Sequence, residues 1–156
     1  MQTIDFSVDS SAAVQALPGP AARADRTASL ILSESGPRII VGADNEIDAS
    51  GVGNIVARSG ARVRGRFGII VEALDGSIVT AERDCRVVAR SGSLVVALEG
   101  ASVVAMANSR VFAEKGASVF AHHEASVFAR SGSEVFSYPG SSVMPFDGAL
   151  VHAVPR

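Results

Sequence analysis

The chain has no tryptophan, one tyrosine and seven phenylalanines, so aromatic residues make up only 5% of it although 47% of its residues are hydrophobic. A core assembled around large rings is excluded, and the apolar mass has to come from valine and alanine. Such small side chains leave the space between a helix and a sheet unfilled, but they fill the gap between two closely spaced sheets. Cysteine occurs once, at Cys85, which excludes an internal disulfide, and no Cys/His set has the spacing of zinc ligands. The formal net charge of −2 gives no general attraction to nucleic acid or to an anionic membrane. No stretch approaches 18 uninterrupted apolar residues, and no basic segment followed by an apolar one opens the chain. These absences lead us to expect a soluble, cytoplasmic protein with neither a nucleic-acid nor a membrane partner.

What the sequence does contain is an interval of eight. From Ser29 to Arg156 it divides without insertion or deletion into sixteen octads, the clearest being "CRVVARSG", "SLVVALEG", "ASVFAHHE" and "ASVFARSG". Position three is Ile or Val in all sixteen, from Ile31, Ile39, Ile47 and Ile55 to Val151. Position five is Ala in eleven octads, and position eight is Gly in ten, with Asp44, Asp84 and Asn108 among its substitutes.

Each column has a physical meaning. A β-branched residue flanked two places away by small ones gives the period-two alternation of a short strand whose positions one, three and five face inward. Positions six to eight form a turn, where Gly, Asn or Asp accepts a positive φ. Gly at every eighth place would weaken a helix by about 1 kcal/mol each time. The expected class is all-β. Because the period never slips, the strands are expected to stack on like positions in a β-solenoid (β-helix), ~4.8 Å apart, where any indel would break every ladder beyond it. The thin Ala-Val-Ala interior favours two octads, or sixteen residues, per coil and eight coils in all; three octads per coil is the alternative. Residues 1–28 fall outside the register and read as a cap and linker, in which "TIDFSV" alternates like a capping strand and "LPGPAARADR" resembles a linker.

Position four faces outward. Its early members are Arg64, Glu72 and Thr80, and its later ones are Val88, Val96, Val104, Phe112, Phe120, Phe128, Phe136 and Met144. With two octads per coil, Val96, Phe112, Phe128 and Met144 form one column, and Val88, Val104, Phe120 and Phe136 form another on the opposite face. Each is large enough to mark an interface. Stacking within the ladder is the competing use of the same rings.

Motifs of chemistry are scarce. His122, His123 and Glu124 are consecutive, and consecutive turn residues diverge, so a metal site is not expected. Cys85 stands where other octads have Ala or Ser, and reads as a small inward residue rather than a nucleophile. Arg58, Arg62, Arg64 and Arg66 read as a solvated basic face. Three-residue turns leave nothing from which to build a polysaccharide cleft with paired carboxylates, so neither catalysis nor a cofactor is expected.

The columns around "ASVFARSG" resemble bacterial short-period β-solenoids with tandem "ASVxAxxG" octads, over residues 29–156 and most strongly over 77–148. The resemblance implies a protein associated with phage or toxin apparatus, whose activity lies in other domains. Bactofilins, polymerising solenoids of the cytoskeleton, are a looser analogy. The leading expectation is a structural scaffold that forms homo-oligomers through the Val/Phe columns or binds an assembly partner there. A spacer or tip module of a phage or toxin apparatus is the alternative, and a polysaccharide-active β-helix enzyme is a distant third.

Overall fold

A computed structural model of the chain describes residues 2–6, 29–33, 36–43, 45–51 and 53–155. These residues form strands and turns, with no helix among them long and apolar enough to cross a membrane. The strands are β1 (Gln2–Phe6), β2 (Ser29–Ser33), β3 (Gly36–Val41), β4 (Glu46–Gly51), β5 (Gly53–Ala57) and β6 (Arg62–Arg66). They continue as β7 (Ile69–Ala73), β8 (Ile78–Ala81), β9 (Arg86–Ala89), β10 (Leu94–Ala97), β11 (Ser102–Ala105) and β12 (Arg110–Ala113). The last five are β13 (Ser118–Ala121), β14 (Ser126–Ala129), β15 (Glu134–Ser137), β16 (Ser142–Pro145) and β17 (Leu150–Ala153).

Successive octads alternate between two sheets. An eight-stranded sheet runs β1-β4-β6-β8-β10-β12-β14-β16, and a nine-stranded sheet runs β17-β15-β13-β11-β9-β7-β5-β3-β2. Val95 pairs with Val79 and Val111, and Val103 with Val87 and Val119, so like positions meet sixteen residues apart. The fold is therefore a two-faced parallel β-solenoid with two octads per coil, and three per coil is excluded.

Its core is the one the repeat specifies. Val79, Val87, Val95, Val103, Val111 and Val119 are fully buried, as are the alanines two places on, from Ala81 to Ala129. Burying each valine contributes ~1.5–3 kcal/mol. The serines at position one satisfy their hydroxyls locally: Ser77, Ser93, Ser109 and Ser133 each donate to the carbonyl three residues earlier, at 2.6 Å. The valine row loses its cover in the last coil, where Val143 is half-buried and Val151 is exposed.

Turns follow one pattern. The N–H of Ala101 donates to the Leu98 carbonyl at 3.0 Å, and Gly100 between them has φ +78°, as the third residue of a type II turn requires. That left-handed residue flips its peptide, which reverses the ladder locally. Gly100 donates forward to Gly116 at 3.0 Å, whereas Leu98 donates back to Ala81 at 2.8 Å.

The expected sixteen-octad stack is shortened at its start. Instead of stacking in parallel beneath a coil, β2 pairs antiparallel with β3, Leu30 opposite Ile39, so the solenoid has about seven coils rather than eight. Ser29–Ser33 thereby lies along the edge of β3. The corresponding edge of the other sheet is taken by β1, which pairs in parallel with β4, Gln2 opposite Ile47. At this end the edges of β4 and β3 are thus covered, and β1 and β2 become the terminal strands of the two sheets. The linker expected over "LPGPAARADR" lies outside the described residues.

Candidate interaction surface

Strand pairing sets the geometry of the outer columns. Val96 lies beside Phe112, Phe112 beside Phe128 and Phe128 beside Met144 on the eight-stranded face. On the nine-stranded face the order is Glu72, Val88, Val104, Phe120, Phe136 and His152. All eight residues expected at an interface therefore stand outward, four on each face.

Their rings stack along the solenoid axis. Phe112 and Phe128 have centroids 4.9 Å apart with planes inclined by 11°, and Phe120 and Phe136 are 4.8 Å apart at 11°. His152 extends the second stack at 5.1 Å, and His122 lies on Tyr138 at 4.7 Å in the neighbouring corner column. The spacing is that of the strands, so each ring uses its faces on its neighbours and turns its edge to solvent. Stacking and surface exposure coexist: Phe112 retains 37% of its accessible surface and Met144 58%.

Toward the N-terminal end the same columns become charged, with a diagonal pattern. Position four of one coil pairs with position six of the next, eighteen residues on: Asp48 with Arg66 at 3.3 Å, Arg64 with Glu82 at 2.8 Å, and Glu72 with Arg90 at 2.9 Å. Glu72 also accepts from Arg38 at 3.1 Å. Asp48 is only 6% exposed, so its pairing with Arg66 offsets part of the cost of burying a carboxylate. The basic cluster read from the sequence is divided accordingly, since Arg64 and Arg66 are paired while Arg58 lies in a turn of the other sheet. Reading the arginines as neighbours along the chain misses these pairs; opposite charges eighteen residues apart are the signal that finds them.

Beside the second column, Ile70, Glu72, Val88 and Arg90 border an open depression of about 370 Å³ over Asn54 and Val56. It lies where the apolar column gives way to charge, between Val88 and Glu72. Within the His122–Glu124 segment, His122 is committed to its stack on Tyr138, and His123 Nδ1 lies 3.6 Å from Glu124. Among the described residues no three His, Cys, Asp or Glu converge on a point that would hold a metal. Cys85 is fully buried, and burial, followed by the charge of Glu82, pushes its thiol up to about 12. Comparison with family models, with curated proteins and with solved structures finds no match for this chain.

Proposed function

We propose that this chain is a non-enzymatic structural scaffold that self-associates through the Val/Phe columns of its outer faces. The observation that carries the reading is the change in position four along one column. Asp48, Arg64 and Thr80 give way to Val96, Phe112, Phe128 and Met144 in a single continuous ladder. A strand position that tolerates charge in its first coils is not obliged by the fold to carry large apolar groups in its later ones; stacking along the ladder uses their faces, and a second surface would use the edges they leave outward. On the eight-stranded face Phe112 and Met144 are exposed, while Val88, Val104, Phe120 and Phe136 on the other face are half-buried with outward edges, and contiguous apolar surface of this kind tends to be an interaction site.

Ring orientation supports a protein partner over a sugar. Stacking on a pyranose needs an exposed ring face, and here the faces are taken up by neighbouring rings. Edge-on rings beside Ser118 and Ser126 suit apolar side chains from another polypeptide. Size-exclusion chromatography with light scattering tests the reading at concentrations up to roughly 0.5 mM, since a Kd of 1 mM corresponds to only about −4 kcal/mol. We expect concentration-dependent oligomers that are lost in Phe120→Ser/Phe128→Ser, which alters both faces. A monomer throughout that range would overturn the proposal.

A further inference from the structure

We propose that two copies dock antiparallel through the outer face of the nine-stranded sheet, about a two-fold axis along the strand direction midway between β11 and β13. The proposal rests on the self-association reading and specifies its face, orientation and register. A two-fold axis in that direction keeps position two opposite position two and position four opposite position four. Rows above the axis exchange with rows below it, so β11 faces β13 of the second copy, β9 faces β15, and β7 faces β17.

Three features of the face become complementary under this operation. Arg86, exposed beside Val88, comes to lie over Glu134 of the second copy, whose carboxylate is already 3.1 Å from His152 Nε2 of its own chain and gains a guanidinium as a second partner. Val104 then faces Phe120 and Val88 faces Phe136, so each large ring meets a smaller side chain instead of another ring. The rim of the depression at Ile70 and Glu72 faces the last row of the other copy, Leu150 and His152. Leu150 is 58% exposed and Ile70 43%, and the pairing covers both.

Other registers lack these matches. A two-fold axis along the solenoid through the position-four column would set Arg86 over Arg90 and Glu72 over Glu72, placing like charges together. Moving the crossed axis onto β11 lays Glu72 on Phe136, and moving it onto β13 lays Arg86 on Leu150. Six strands at ~4.8 Å by about 14 Å of width bury roughly 400 Å² per copy, half of a standard interface, so the dimer is weak and readily reversed.

Complementary charge reversal tests the arrangement in the full chain. Arg86→Glu and Glu134→Arg each place like charges at both symmetry-related contacts, and each should weaken dimerisation about tenfold or more in sedimentation equilibrium. An equimolar mixture of the two variants should recover dimer, because the carboxylate introduced in one chain then faces the guanidinium introduced in the other, and the second contact keeps its native pair. A single chain carrying both reversals should also recover it, and circular dichroism checks that each variant is folded. Dimers insensitive to either reversal but lost in Phe112→Ser/Phe128→Ser would overturn this arrangement and leave the self-association reading standing. A wild-type chain that stays monomeric at roughly 0.5 mM would overturn both.

Discussion

Gly65 of β6 and Cys85, which leads into β9, share one site in the core from opposite sheets: a Cβ on the glycine would stand 2.8 Å from the Cys85 sulfur. It would also lie 3.3 Å from Ile69 and from Val71. Octad 69–76 begins with a fully buried Ile where most octads begin with Ala or Ser, and Gly65 supplies the missing volume. The glycine is needed for space, since its φ does not lie in the left-handed region. Gly65→Ala should cost about 1–3 kcal/mol in urea denaturation, as overpacked cores do. Adding Cys85→Ala should recover most of that loss, and the double-variant cycle measures the coupling.

The same cysteine sets an alkaline limit on stability. Its thiol rises from 9.0 to about 12 in the folded chain, first through burial and then through the charge of Glu82. The folded state holds the proton that the unfolded state releases, so stability is unaffected below pH 9.0 and falls between pH 9.0 and about 12. The slope due to this group is at most about 1.4 kcal/mol per pH unit. Cys85→Ala should flatten that limb relative to wild type, and the native thiol should react with a disulfide reagent at pH 8 only as fast as the chain opens.

The turn columns permit a sign prediction. Glu124 holds φ +61° in the position that Gly100 occupies at +78°. Left-handed backbone costs a residue with a Cβ about 1–2 kcal/mol, and glycine gives back part of that through its unfolded-state entropy. Glu124→Gly should therefore stabilise by roughly 0.5–1 kcal/mol. Gly100→Ala should destabilise by about 1–2 kcal/mol, because its Cβ would also press on the Arg83 Cα at 3.3 Å. Asn108→Gly should change little, since asparagine tolerates this conformation. Thermal denaturation of the three variants ranks them.

Register makes a third class of change informative. Deleting Ser131 alone shifts every residue after it by one place and turns the inward row of β15–β17 outward. Cooperative unfolding should be lost for that part of the chain. Deleting residues 101–116 removes one whole coil, and the remaining strands still meet like positions. That variant should fold with a smaller denaturant m-value, in keeping with the area removed.

Much of this architecture was legible because its rules are local. The inward row from Ile39 to Val135 follows from the two-residue period of a strand, and the turn glycines follow from the sterics of positive φ. Both act within a few residues, so the chain itself fixes them. The outward placement of Phe112, Phe120, Phe128 and Phe136 follows in the same way, since residues adjacent to an inward valine have no other direction.

Tertiary structure alone decided what meets across coils. The antiparallel pairing of β2 with β3 and the seat of β1 beside β4 have no signature in the octad itself, which reads alike on either sheet and at either end. Only once the coil closed at sixteen residues did Asp48 find Arg66 and Glu72 find Arg90, because the separation that brings two charges together is set by the circumference of the coil and by no property of the residues themselves.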